Sequence, residues 1–249
     1  MNHVKDALTS GKTVIGTTAS ASSDAAFLAD SGFDFLLFDT QHSLDTIKGL
    51  QPALQAMRRR QAIPIVRVAD NRPDQICFAL DIGAKGLIVP MVNTPAEARD
   101  MVKWCRYPFA GARSSSGVHG EWGEYKSYRE YMDAVNQQLL IIPMIETVEA
   151  IDNLDAIVST PGVDVLLVGP SDLSINLGVP LDYTNALYLG ALQRIATACK
   201  QAGIAAGMYF VPPGIEPKAL IGMGFRFFTL PWAGWAKEGI RGGLASFSP

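Results

Sequence analysis

The sequence predicts an α/β fold, a (β/α)8 barrel of the TIM type, on three observations. Eight short β-branched or aliphatic runs recur along 249 residues, each followed by a helix-length segment with apolar residues at 3.6-residue spacing. The runs are apolar on both faces, as strands between a filled barrel and a ring of helices must be. The length suits one eight-fold barrel rather than two average domains, so one domain over 1–249 is expected. A doubly wound open sheet shows the same alternation, because periodicity carries no information about closure; eight units in this length favour the barrel.

In chain order the strands are expected at 13–16, 35–39, 63–67, 86–89, 139–145, 163–168, 205–209 and 227–230. Helices are expected around 23–31, 44–59, 73–82, 95–105, 124–137, 147–158, 185–202 and 213–223, with a last one after Trp232. Ser23-Asp24, Asp45 and Thr94-Pro95 supply N-cap or N1 chemistry, and Gly32, Gly83, Gly203 and Gly224 follow helix ends where a left-handed C-cap is wanted. Arg58-Arg59-Arg60 reads as a basic tail matching the dipole of the 44–59 helix. The N-terminus, with His3, reads as frayed. The stretch 106–123, with Pro108, Gly111, Gly117 and Gly120, breaks the alternation and is a candidate active-site loop or subunit contact. Its 111–117 segment is a weak anion-binding candidate that matches no Walker or Rossmann spacing.

Composition narrows the function classes. With 48% hydrophobic and 18% charged residues the chain should fold, and a net charge of −3 with no basic cluster larger than Arg58-Arg59-Arg60 argues against a nucleic-acid partner. No apolar run approaches the roughly 18 residues of a membrane span, and the N-terminus has no signal-like core, so a soluble, cytoplasmic protein without a membrane partner is expected. Cys77, Cys105 and Cys199 are odd in number and widely spaced, which indicates reduced thiols rather than a disulfide framework or a zinc knuckle.

In such a barrel the chemistry sits at the C-terminal strand ends, so the informative residues are the polar ones that terminate apolar runs. FLLFDTQH delivers Asp39, Gln41 and His42; IPIVR delivers Arg67; LLIIPMIE delivers Glu146; VDVLLVGPSD delivers Asp172. Alone, Glu146 is an acid matching the dipole of the helix that follows, and Asp172 a helix cap. Together, on adjacent strands, they give two oxygen ligands with open positions, a set suited to Mg²⁺, Mn²⁺ or Co²⁺ rather than zinc. Arg67 is either ion-paired to Asp39 or Asp70, or a binder of a carboxylate or oxyanion. His42 has the range for acid–base work. Gly169, Pro170, Ser171 and Asp172 offer backbone N–H groups for the carboxylate of a small 2-oxo acid, or form an ordinary βα turn.

A Schiff-base lyase would need a desolvated lysine at a strand end. Lys5, Lys12, Lys48, Lys85, Lys103, Lys126, Lys200, Lys218 and Lys237 all fall in helices, termini or loops, with Lys85 just before the fourth strand at the wrong end of the barrel. Enolate stabilisation must then come from a metal and Arg67.

At these residues the chain resembles the HpcH/HpaI aldolase family, the class II metal-dependent pyruvate aldolases that act on 4-hydroxy-2-oxo acids, including 2-keto-3-deoxy sugar acids. The likeness runs in order through GFDFLLFDTQH, IVRV, LDIGAKGLIVPMVNTPAEA, RYPFAGARS, PMIETVEAIDNLDAI and GVDVLLVGPSDLSINLG, nearly the whole chain. It implies that Glu146 and Asp172 ligate a divalent metal, that Arg67 binds the 2-oxo oxygen, and that His42, oriented by Asp81 of LDIGA, is the base. It also implies a pyruvate-like acid and an aldehyde as substrates, and a hexamer of paired barrels, a trimer of dimers, exchanging C-terminal helices.

Two positions depart from the pattern. Gln41 stands where the family usually has Glu before the histidine, removing about one unit of negative charge beside the site, which changes metal affinity or the acidity of nearby water. Trp232, in FFTLPWAG, brings an indole after the eighth strand that narrows the pocket. The alternatives are decarboxylation of an oxaloacetate-like acid, with or without carbon–carbon bond formation, and a non-catalytic barrel that binds an oxo acid.

Overall fold

Eight parallel strands form one closed sheet in the order of the sequence. They are β1 (Val14–Ala19), β2 (Phe35–Asp39), β3 (Ile63–Arg67), β4 (Gly86–Val89), β5 (Leu140–Ile145), β6 (Val165–Val168), β7 (Ala205–Met208) and β8 (Phe225–Leu230), with β8 pairing back onto β1. The structure, a computed structural model, describes residues 2–118 and 120–247. His119, which has no assignable role from sequence, lies outside the described residues.

The helices are α1 (His3–Thr9), α2 (Ala25–Ala29), α3 (Gln51–Ala56), α4 (Pro73–Asp81), α5 (Pro95–Cys105), α6 (Tyr128–Gln138), α7 (Val148–Asp152), α8 (Leu154–Val158), α9 (Pro170–Asn176), α10 (Ala186–Ala202), α11 (Pro217–Met223) and α12 (Trp232–Ala245). Capping explains several boundaries. Asp24 accepts the N–H of Phe27, Thr94 and Glu97 form a reciprocal capping box, and Ser127 accepts the N–H of Glu130, so α6 starts at Tyr128 rather than at 124. Gly203 (φ 71°) and Gly224 (φ 119°) take the left-handed C-cap conformation.

Other elements differ from expectation. The 44–59 helix shrinks to a 3-10 turn at Lys48–Leu50 and then α3, because Pro52 has no N–H to donate and is accommodated only in a first turn. Asp45 caps no helix; its carboxylate accepts the N–H of Ala21. The three arginines lie beyond the end of α3 instead of in its last turn, and Arg60 pairs with Asp30. The 147–158 helix is broken at Asn153, whose amide donates to the Asn93 carbonyl.

The N-terminus is ordered, contrary to expectation. Asn2 caps α1 and donates its amide to the carbonyls of Lys85 and Gln138, Lys5 pairs with Asp164 at 2.9 Å, and Val4 is fully buried. α1 therefore plugs the N-terminal mouth of the barrel.

Strand alternation divides two cores. Val14, Phe35, Leu37, Ile63, Ile65, Ile88, Leu140, Ile142, Met144, Val165, Leu167 and Phe227 fill the barrel, while Leu36, Phe38, Val66, Ile141, Leu166 and Val168 face the helices. Gly16 makes room for the Phe35 ring, which stacks on Phe227 at 4.3 Å; a Cβ on Gly16 would stand 2.3 Å from that ring. Each fully buried side chain of this kind contributes about 1.5–3 kcal/mol. Among the described residues no helix is long and apolar enough to cross a membrane.

Candidate active site

The same period of two that fills the barrel builds its C-terminal rim. After the inward pairs Phe35/Leu37 and Ile63/Ile65, the next inward positions are Asp39 and Arg67, which the β2–β3 register sets side by side. After Leu140, Ile142 and Met144 the next is Glu146; after Val165 and Leu167 it is Gly169. After Ala205 and Gly207 it is Tyr209, which packs on the barrel interior. Asp172 stands three residues after Gly169, in the first turn of α9. Metal, acid and cation candidates thus meet at one mouth because each ends a strand in phase.

Asp39 and Arg67 form a fork-on-fork ion pair, Nε to Oδ1 at 2.8 Å and Nη2 to Oδ2 at 2.6 Å. Burial would raise the Asp39 carboxyl, but the hydrogen bonds and charge of Arg67, with the N–H groups of Gln41 and His42, hold it below the usual range. Burial likewise opposes charge on Arg67, and Asp39, Tyr209 and Glu146 more than restore it. Of the two structural partners expected for Arg67, Asp39 is the one used, and Asp70 is not. Met144 Sδ lies 3.8 Å from Nη1 of Arg67, and the guanidinium stacks 4.2 Å from the centroid of the Tyr209 ring.

Glu146 is 2% exposed. Its Oε1 accepts the N–H of Met91 at 2.7 Å, and Met91 holds a left-handed φ of 53° to deliver it. Its Oε2 sits where a Cβ on residue 169 would be, 2.1 Å away, so only glycine leaves the carboxylate room. Burial first, and then the Asp172 charge, push the Glu146 carboxyl up, against the Met91 N–H and the Arg67 charge. A buried carboxylate that feels a second negative charge, beside a guanidinium committed to Asp39, is the electrostatic arrangement a divalent ion resolves. Among the described residues no group of three or more His, Cys, Asp or Glu side chains gathers as a metal site. The buried Oε1 of Gln41 has no hydrogen-bond partner among the described residues, while its backbone N–H donates to Asp39 at 2.9 Å.

The remaining expected residues are placed as follows. His42 lies in the exposed loop after β2, tied through its backbone N–H to Asp39 at 3.4 Å. Gly169 and Pro170 are the N-cap and N1 of α9, and the Ser171 hydroxyl meets Tyr183 at 3.3 Å. Trp232 opens α12 and packs partly buried against the layer between sheet and helices, rather than in the barrel interior.

Asp81 is not at this mouth. It ends α4 at the opposite, N-terminal end of the barrel, where it pairs with the buried Arg113 at 2.8 Å and meets Cys77 Sγ at 3.6 Å. Within one chain it does not orient His42. Arg113, the cation of the 111–117 segment, is thus paired within the chain and stacks 4.5 Å from the Tyr107 ring. Lys85 sits at that same N-terminal end, 5.4 Å from the Trp122 ring and away from the polar rim. Sequence reading missed Tyr209 and the Met91 N–H. The first could be found from the inward phase of 205, 207 and 209; the second depends on a loop conformation with no sequence signature.

The profile of the HpcH/HpaI aldolase/citrate lyase family matches residues 16–231. A 2-keto-3-deoxy-L-rhamnonate aldolase from Klebsiella pneumoniae subsp. pneumoniae is 36% identical over 221 residues, covering 88% of this chain and 83% of that protein. The crystal structure of an HpcH/HpaI aldolase/citrate lyase family protein from Burkholderia cenocepacia J2315 superposes with a TM-score of 0.86 at 30% identity, covering 99% of both chains. Macrophomate synthase superposes with a TM-score of 0.80 at 27% identity, covering 98% of this chain and 87% of that one. The chain belongs to the HpcH/HpaI aldolase/citrate lyase family and is, by that membership, a carbon–carbon lyase.

Proposed function

We propose that this enzyme is a class II aldolase that cleaves or forms the C3–C4 bond of a 4-hydroxy-2-oxo acid, with a pyruvate enolate between substrate and products. The observation that carries the reading is the buried Glu146 carboxylate, within the electrostatic reach of both Asp172 and the fixed guanidinium of Arg67. The rhamnonate-derived 2-oxo acid named for the relatives makes a sugar-derived substrate the first to try.

Glu146 and Asp172 would hold a divalent ion, Mg²⁺, Mn²⁺ or Co²⁺, which when bound supplies Lewis-acid stabilisation of the enolate. Arg67 hydrogen-bonds the 2-oxo oxygen, and its charge grows in value as negative charge develops there. The N–H groups of Ser171 and Asp172 lie on the same rim for the substrate carboxylate. His42 takes the proton from the 4-hydroxyl; the C3–C4 electrons pass to C3, C4 leaves as an aldehyde, and protonation of C3 gives pyruvate.

We also infer that the working form is an oligomer. α12 buries none of its residues, and Trp235, Ile240 and Leu244 are more than half exposed along it. An Asp81–His42 contact of the kind the family resemblance implies needs two chains, since one chain holds the two residues at opposite ends of its barrel.

The test is product analysis of the purified enzyme, with each metal, on 2-keto-3-deoxy sugar acids and on oxaloacetate. Pyruvate and an aldehyde in equal amounts are expected from the sugar acids. Carbon dioxide without aldehyde would replace this reading with decarboxylation, and binding without products with an oxo-acid-binding barrel.

A further inference from the structure

Arg67 is gripped along one edge and over one face. The edge carrying Nε and Nη2 is taken by Asp39, which fixes where the guanidinium points but leaves it free to twist about the line joining the two groups. The face is covered by Tyr209, 4.2 Å from the ring centroid.

Tyr209 is built to stay there. Its N–H donates to the Val168 carbonyl at 3.1 Å, so its Cα is pinned at the end of β7. The inward residues beneath it, Ala205 and Gly207, are small, and a Cβ on Gly207 would already press Leu167 and Phe227 at 3.1 Å. The ring therefore lies over the barrel interior and reaches across to β3.

We propose that Tyr209 is a positioning residue for Arg67, its ring setting the plane in which the guanidinium presents its remaining N–H groups to the 2-oxo acid. This rests on the reading that Arg67 binds that acid. A ring suits the task better than a second carboxylate. It removes water from one face of the cation and restricts its rotation without cancelling the charge that the oxo oxygen needs. Burial pushes the phenol up to about 12, so near neutral pH it adds no competing anion.

The experiment uses the full-length protein loaded with Mn²⁺. Deuterium entry into the methyl group of pyruvate is followed at varied pyruvate concentration, to separate KM from kcat, with pyruvate binding measured by calorimetry in parallel. The variants are Tyr209→Phe, Tyr209→Leu, Arg67→Ala and the Arg67→Ala/Tyr209→Leu double change. If a desolvated ring–cation contact is at work, Tyr209→Leu raises KM and the dissociation constant by about tenfold or more, while Tyr209→Phe stays within about twofold of the parent. In the Arg67→Ala background the same leucine adds less than about twofold, because the group through which Tyr209 acts is gone.

Equal losses in the Phe and Leu variants would assign the role to the hydroxyl and overturn the proposal, as would a full leucine effect without Arg67 or no leucine effect at all. Tyr209→Met replaces the leucine variant if the latter loses its native melting transition. A parent protein that binds pyruvate but exchanges no protons would sink the enolate reading alone, and the binding ratios then judge Tyr209. A parent that does not bind pyruvate overturns both.

Discussion

Asp39 and Arg67 show how a single pair can be both structure and chemistry. Asp39→Ala leaves a buried guanidinium without its counter-charge, so a loss of about 3–5 kcal/mol is expected in urea unfolding, together with weaker pyruvate binding. The pH dependence has a definite sign. The folded Asp39 carboxyl lies below its unfolded value, so its stabilisation is complete above the ordinary carboxylate range and is lost as pH falls through the lower, folded value. Melting curves between pH 7 and pH 3 should therefore show a steeper acid loss in the parent than in Asp39→Asn. Glu146 behaves oppositely. Its folded carboxyl lies above its unfolded value, so its contribution is present at low pH and is lost as pH rises through the folded value. Glu146→Gln should then melt higher than the parent in chelator at neutral pH, and should lose the rise in melting temperature that Mn²⁺ gives the parent. A parent that Mn²⁺ does not stabilise would contradict the two-carboxylate site.

At this scale Glu146, Arg67 and Asp39 were legible because each closes an apolar run at a strand end, where little water is left to satisfy a polar side chain, and the exposed Asp172 because it follows such a run at the same rim. Tyr209 was passed over although the inward phase of 205, 207 and 209 marks it, since a tyrosine closing a strand also satisfies β propensity. Asp81 was named only through resemblance, because in a sequence an acid at the end of a helix such as α4 looks like any surface acid.

Helices and strands were legible to different degrees. Strands 35–39, 63–67 and 86–89 fall where the apolar runs put them, because both faces are buried and nothing polar blurs their edges. Helices with explicit caps, such as α5, were equally clear. The errors came from residues whose effect is local: Pro52 shortened α3, Asn153 split α7 from α8, and Asn2 turned a terminus expected to fray into a plug. The plug carries its own prediction. Asn2→Ala removes an N-cap and two amide bonds to the Lys85 and Gln138 carbonyls, so stability should fall by about 2 kcal/mol. The same change should leave KM near the parent value, because the loss lies at the mouth opposite the site. A changed KM with unchanged stability would mean the plug is not what α1 does.

At the scale of the whole molecule the sequence carried the eight units but not their closure, which depends on β8 meeting β1, the pairing most distant in the chain. The exposed face of α12 and the separation of Asp81 from His42 are the observations on which the proposed oligomer rests. If sites are shared between chains, mixing inactive His42→Ala and Asp81→Ala proteins and allowing subunits to exchange should restore about a quarter of the parent activity, since a site then draws each residue from a different chain. No recovery in mixed oligomers would confine each site to one chain and leave Asp81 a purely structural partner of Arg113.

The most direct test of the central claim is methyl-proton exchange of pyruvate in D₂O, followed by NMR with metal-stripped protein to which Mg²⁺, Mn²⁺ or Co²⁺ is restored. Exchange that requires metal, disappears in Glu146→Gln and falls sharply in His42→Ala is the expected result. A folded protein that binds pyruvate with its metal and yet exchanges no proton would contradict the account.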